Sequence, residues 1–442
     1  MLLDNPPLGR GEPRLASAPP AALLFFGINY APEMIGIGPY TAGLAEEMAV
    51  RGHQVEVVTG QPYYPRWRVE RAGRTMWSTA RENGVTVRRC PLYVPRRPTF
   101  VRRLLHYLSF ALFALPALLR SMRASRPDAL VGIAPSLVSA LIPFLLARLL
   151  GIPFWLHVHD LEAELACATG FVGRKSLAAR LACRFQDWMM RGADQVSTVS
   201  DAMSEAVAAK GVPRERLLTL RNWANHSDAV GRADGAAVRR QLRAGKRTVV
   251  LYSGNIAAKQ GLGLVVEAAR RLRGRKDILF VICGEGPGRG QLEEQAEGLV
   301  NVSFRPLMPP GDFAATLCAA DIHLLPQLAS AADLVLPSKL PNMLASGRPV
   351  VATAGAGTGL AREVMGAGLV VVPGDAAALA RAITRLADDP ELAAAFGAEG
   401  RRRAAARWSL EQTADRFERR LARMLRRAQP GRSSSKAAIP AE

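Results

Sequence analysis

Short, unbroken apolar runs alternate with segments of helical periodicity along most of the chain. Ala22 to Asn29 is the first such run; a glycine-bearing loop follows it, and a helical pattern starts near Pro39 and continues to Val50. Proline suits a first helical turn, where its missing N–H would have no intrahelical partner, and Gly52 can close the helix. Val55 to Thr59 predicts the next strand, so the opening reads strand, loop, helix, strand. Further runs at Ala129 to Ile133, Phe154 to Val158 and Gln195 to Val199 are separated by helical stretches. Runs without polar alternation belong to strands covered on both faces, which predicts a parallel sheet between helical layers. A second series occupies Thr248 to Ser253, Leu279 to Cys283, Val302 to Phe304, Ile322 to Pro326, Val350 to Thr353 and Leu369 to Val372. Between the two series, Arg221 to Gly245 loses the rhythm and becomes polar and rich in Ala, Gly and Arg. The fold class is therefore α/β, with two Rossmann-like parallel-sheet domains facing across a cleft.

The 442-residue length agrees with two domains, each able to bury its own core. The expected division is a disordered lead over 1–20, a first domain over 21–225, a second over 226–407 and a loose tail over 428–442. The lead contains Asp4 and Glu12 and is unlike a signal peptide. Cys90, Cys167, Cys183, Cys283 and Cys318 are scattered without metal spacing, so no zinc site or disulfide framework is indicated and a reducing, cytoplasmic compartment is expected. A formal charge of +20 attracts nucleic acid, anionic lipid and phosphorylated small molecules alike. No RNP-like motif, basic zipper or zinc finger accompanies it, so no nucleic-acid partner is expected.

One segment stands apart. In Pro98 to Arg126, Arg102 and Arg103 precede the apolar stretch Leu104 to Leu119, and Arg120, Arg123 and Arg126 follow it. The stretch is short for crossing a bilayer and suits a helix lying in the headgroup region of an anionic leaflet, with a buried core helix as the alternative.

Ligands of open parallel sheets bind beyond the carboxyl ends of the strands, so chemistry is sought in the loops after Phe26, Ser253, Cys283 and Pro326. Gly36 and Gly38 precede the first helix and allow a phosphate close to the backbone, or serve only as a turn. His157 and His159 alternate around Val158 at a strand end. His157 reads as a satisfied core histidine, and His159, beside Asp160, as a hydrogen-bonding group in the cleft. In the second domain Gly254, Asn255, Lys259 and Gln260 lead from a strand toward a helix, and Gly284, Glu285 and Gly286 form a sharp turn able to frame a base. Within Pro337 to Pro349 a short helix opens after Pro337 and Ser338 and closes at Gly347, with Lys339 and Leu340 at its start and Asn342 facing inward toward a ribose. A diphosphate needs fixed positive charge and backbone donors, and Lys259 and Lys339 are the cations in place.

These stations, in this order, resemble the family 4 glycosyltransferases. The strings FFGINYAPEMIGIGPYTAGLAEEMAVRGHQVEVVTGQPYYP, LYSGN with KQGL, CGEGP, AADIHLLP and LVLPSKLPNMLASGRPVVAT are similar to the colanic-acid-type exopolysaccharide enzymes, over roughly residues 22 to 425. The resemblance implies a GT-B fold, net retention at the anomeric carbon, no metal or other cofactor, and a GDP- or UDP-linked sugar donor held mainly by the second domain. It implies a final helix over 408–427 that crosses back to the first domain. With Leu104 to Leu119 offering a means of docking at a leaflet, the expected acceptor is a saccharide carried on polyprenyl diphosphate, which places the enzyme at the inner face of the cell membrane. Gly36 and Gly38 match the family's glycine loop, His159 its cleft histidine, and Glu285 the acidic member of the turn by the base. The chain departs from the family at the diphosphate: Asn255 stands at the usual Arg and Gln260 at the usual Lys, with Lys259 one residue early. The family's paired glutamates are also missing, the second falling on Asn342 and the first on or beside Asp333 and Leu334. Two other readings remain: a degenerate nucleotide-sugar-binding scaffold subunit, suggested by the lost glutamates, and a nucleotide-sugar 2-epimerase on the same fold, which would need in-cleft carboxylates that the sequence does not offer.

Overall fold

The structure is a computed structural model that describes residues 19–33, 36–64, 67–69, 76–96, 99–134, 137–161, 176–224, 230, 233–257, 260–308, 310–328 and 337–428. The expected lead and tail fall almost wholly outside these residues, as do Lys259, Asp333, Leu334 and Cys167.

The first sheet contains β1 (Ala22–Phe26), β2 (Gln54–Gly60), β3 (Ser78–Glu82), β4 (Val85–Cys90), β5 (Ala129–Ala134), β6 (Phe154–Val158), β7 (Gln195–Thr198) and β8 (Leu217–Thr219). Their spatial order is β3-β4-β2-β1-β5-β6-β7-β8, parallel except for the antiparallel β3–β4 pair. One face carries α1 (Gly38–Val50), and α2 (Phe100–Ser125), α3 (Leu137–Leu150) and α4 (Leu177–Gly192) pack on the other. Strand order reverses at β1, which places the loop after Phe26 at the crevice where such sheets bind ligands.

The second sheet has β9 (Thr248–Ser253), β10 (Ile278–Cys283), β11 (Val302–Arg305), β12 (Ile322–Leu325), β13 (Val350–Thr353) and β14 (Gly368–Val371), all parallel, in the order β11-β10-β9-β12-β13-β14. Its reversal falls at β9. The two parallel-sheet α/β domains constitute a GT-B fold.

The final helix, Leu410–Ala428, belongs by packing to the first sheet: Phe417 stacks on Phe25 at 6.1 Å and lies 4.4 Å from Trp155, ring centre to centre. Arg51 at the end of α1 is bound to Asp415 and Glu418 at 2.5 and 3.0 Å. A guanidinium bridges the two lobes: Arg221 donates to Asp201 at 2.7 Å and to Glu363 of the second lobe at 2.6 Å. Arg407 reaches the same Glu363 at 2.9 Å.

Helix α2 is a core helix on one side only. His106, Phe110, Ala114 and Leu118 are buried, whereas Leu104, Leu105, Leu108, Leu112, Phe113 and Leu119 are exposed.

Candidate active site

The second-lobe half of the cleft is built by glycine contacts. Gly254 follows β9 with φ +138°, a conformation that side chains rarely adopt, and a Cβ there would overlap Cε and Nζ of Lys339. The missing side chain is what lets the ammonium lie against the end of the strand. Lys339 Nζ donates to the Tyr252 hydroxyl at 2.9 Å and sits 4.2 Å from the centre of that ring. Tyr252 in turn donates to the Asn255 carbonyl at 2.6 Å, and its burial holds the phenol protonated. Gly284 meets the backbone of Gly254 so closely that no Cβ fits, while Ile256 N–H donates to the Glu285 carbonyl at 2.8 Å. The loops after β9 and β10 are thus zipped into one surface with Lys339 at its edge.

The short helix Leu340–Ala345 differs from the sequence expectation in one respect. Lys339 is its N-cap, Leu340 N–H is already donated to the Pro337 carbonyl at 3.0 Å, and Pro341 has no N–H. Few amides of its first turn are left for an anion, and positive charge here rests on the Lys339 side chain. Asn342 is buried on the same helix. Glu285 is exposed, and its carboxylate is paired with Arg289 at 2.8 Å. Gln260 lies half-buried with its Oε1 lacking a hydrogen-bond partner among the described residues.

In the first lobe, Gly36 takes φ +81° and Gly38 opens α1 against Glu33. His157 Nδ1 bonds Ser197 Oγ at 2.8 Å, the satisfied core histidine of the sequence reading. The rings of His157 and His159 lie 4.5 Å apart, and both residues are buried with a small fraction of their surface left open. Burial lowers His157 to about 4 and His159 well below the ordinary value, so both are neutral at physiological pH. A cavity of about 10 Å³, near the room needed for one water, lies among His157, His159, Tyr40, Arg221 and Trp223.

Tyr40 joins the two halves. Its ring is 6.4 Å from that of His159 and meets Trp223 edge-on at 5.3 Å, and its hydroxyl donates across the cleft to the Ser338 carbonyl at 3.4 Å. His159 and Lys339 are therefore linked through one phenol and one peptide unit.

Residues 36–223 match the glycosyl transferase 4-like domain, and residues 247–389 match the glycosyl transferases group 1 domain. The protein named as the colanic acid biosynthesis glycosyl transferase WcaI of Escherichia coli (strain K12) is 42% identical over 76% of this chain and 84% of its own length. The chain belongs to this glycosyltransferase family. Among solved structures, Anabaena Alr3699/HepE in complex with UDP superposes with a TM-score of 0.65 at 14% identity, over 91% of this chain and 100% of that one. Sucrose-phosphate synthase from Thermosynechococcus elongatus gives 0.67 at 20% identity, over 92% and 100%. Both share the GT-B fold.

Of the residues singled out in this glycosyltransferase's sequence, the structure brings Gly254, Asn255, Gly284, Gly286 and Lys339 into one contact cluster. Gly36, Gly38 and His159 lie on the opposite lobe. Tyr40, Tyr252 and Glu33 were not singled out by sequence. Tyr40 and Glu33 stand within the loop-and-helix string around Gly36 and Gly38, and Tyr252 opens the string LYSGN.

Proposed function

We propose that this colanic-acid-family glycosyltransferase moves a sugar from a nucleotide diphosphate donor, GDP- or UDP-linked, to a saccharide carried on polyprenyl diphosphate, with retention of anomeric configuration. The supporting observation is the Lys339 ammonium, held by Tyr252 over Gly254 at the end of β9 and connected through Ser338 and Tyr40 to His159. A cation fixed at the mouth of the zipped glycine loops is suited to charge that develops on a departing diphosphate. Complexes of HepE with UDP and with UDP-glucose support a donor of that class.

The acceptor hydroxyl attacks from the first lobe on the face the diphosphate leaves. Its proton passes to the leaving phosphate oxygen, and the C–O bond to phosphate breaks as the new glycosidic bond forms. No dedicated base is then required, and neutral His159 serves as a hydrogen-bonding partner of the sugar. The Lys339 ammonium takes the place of a metal in this scheme, so EDTA is expected to leave turnover unchanged. Loss of turnover on Lys339→Ala tests the assignment; full activity in that variant would refute it.

We further propose a peripheral position on the inner leaflet. The exposed apolar side of α2 is continued by Leu145, Leu149 and Leu150 on α3 and by Leu177, Leu181 and Trp188 on α4, and Arg102, Arg103, Arg120 and Arg123 border it. Helix α2 is long and apolar enough to cross a membrane, but its inner side belongs to the first-lobe core, which favours lying on the surface. Flotation with anionic vesicles should fall on neutralising those arginines, and unchanged binding would contradict the docking role.

A further inference from the structure

The first lobe gathers a second set of side chains that the donor chemistry leaves unused. The loop after β2 turns back over the glycine loop after β1, so that a Cβ on Gly36 would come within 3.0 Å of Tyr64 Cε1. Glu33 ties the two loops together: Oε1 accepts from the N–H groups of Tyr63 and Tyr64 at 3.0 Å each, and Oε2 accepts from Asn29 Nδ2 at 2.8 Å. Burial raises the Glu33 carboxyl, and those hydrogen bonds oppose the rise.

From Tyr64 an aromatic cluster runs away from the cleft toward the start of α2. Tyr63 lies 5.4 Å from Trp67 and 4.6 Å from His106, and Trp67 lies 5.4 Å from His106. The Arg103 guanidinium covers the Trp67 ring at 5.5 Å. Arg103 is exposed, is paired with no carboxylate among the described residues, and directly precedes the exposed Leu104 and Leu105. His106 is fully buried beneath this cluster, and its Nε2 has no hydrogen-bond partner among the described residues. Burial raises the Tyr64 phenol; the charges of Glu33 and Asp160 add to the rise and that of Arg103 opposes it. Half-buried aromatic rings, a guanidinium paired with no carboxylate among the described residues, and the bonded Glu33 carboxylate thus gather beyond the carboxyl ends of β1 and β2, between the cleft and the apolar side of α2.

We propose that this cluster is the acceptor subsite: Tyr64 and Trp67 receive the sugar ring of a glycosyl diphosphate lipid, and Arg103 binds its diphosphate. The inference rests on the lipid-linked acceptor proposed above and adds the residues that would recognise it. Aromatic walls with a few placed polar groups suit a sugar, and a guanidinium matches phosphate oxygens in a bidentate fashion. The lipid chain would then leave the site along Leu104, Leu105 and Leu108.

A phospholipid headgroup could present the same phosphate to Arg103, so the experiment uses glucose linked to farnesyl diphosphate, a probe soluble without vesicles. Calorimetric titration of the full chain is expected to show binding that weakens at least tenfold in Arg103→Gln, several-fold in Trp67→Leu, and in Arg103→Lys by less than in Arg103→Gln, because the charge stays while the bidentate fork is lost. Affinity for UDP should stay within twofold in all three. The paired change Arg120→Gln with Arg123→Gln should lower vesicle binding and leave the probe's affinity intact. Wild-type affinity for the probe in both Trp67→Leu and Arg103→Gln, or no binding of the probe to the wild type, would overturn the subsite. Absence of UDP binding in the wild type would instead mark failure of the donor reading.

Discussion

Replacing Gly254 by alanine tests how the ammonium of Lys339 is placed. The new methyl would overlap the end of the lysine side chain, and that flexible end is what must yield. Lys339 would leave the Tyr252 hydroxyl, now 2.9 Å away, and the ring 4.2 Å beneath it. Removing one preorganised donor from a developing negative charge costs about 2–3 kcal/mol, or roughly 30- to 150-fold in kcat/KM. Alanine at φ +138° adds backbone strain of about 1–3 kcal/mol, which should appear as a lower Tm and not as a further kinetic loss. The assay is a double-mutant cycle on kcat/KM with Gly254→Ala, Lys339→Ala and both together. If the glycine acts through the lysine, the double variant is no slower than Lys339→Ala alone. Multiplying losses would refute the reasoning, because the two positions would then act independently.

Tyr40→Phe removes the hydrogen bond to Ser338 without emptying the space; a loss of about 0.5–1.5 kcal/mol should lower kcat/KM roughly 2- to 10-fold with Tm nearly unchanged, and unaltered kinetics would show that the bond contributes nothing. Gly284→Ala drives a Cβ into the Gly254 backbone and should destabilise the second lobe, read as a lower unfolding midpoint; an unchanged midpoint would contradict the packing. Acid should unfold the protein in part through His157, whose folded value is about 4 against about 6.5 when unfolded. The unfolded state then binds more protons between those values, so this contribution is complete above about pH 6.5 and is lost as pH falls toward 4, amounting to about 3 kcal/mol. Denaturant midpoints measured across that range should fall with acidity, and fall less in His157→Gln.

The strands legible in the sequence are those buried on both faces, because only they leave an unbroken apolar run. β3 and β4 escaped detection for the opposite reason. β3 is largely exposed, and β4 alternates Val85 and Val87 with polar neighbours, Arg88 binding Glu56 and Arg89 binding Glu82 at the sheet edge. β8 is too short at 3 residues to give a periodic signal. For α2 the sequence left a core helix and a membrane-surface helix open, and the structure buries one side and exposes the other: a two-sided apolar helix cannot be divided until its neighbours are known. At the site, the glycine turns and Lys339 were readable because special backbone geometry and a cation beside a strand-to-helix loop leave local marks. Tyr252 beneath Lys339 lies 87 positions away, and Tyr40 meets Ser338 across 298; such partnerships arise only from the fold.

The central claim is that Lys339, set over Gly254 by Tyr252, holds a nucleotide's diphosphate. Calorimetric titration of the purified chain with UDP and with GDP, repeated on Lys339→Ala, tests it most directly. At least one of the two nucleotides should bind with a sub-millimolar Kd that weakens at least tenfold in the variant. No binding of either at millimolar concentration, or equal affinity in the variant, would contradict the account.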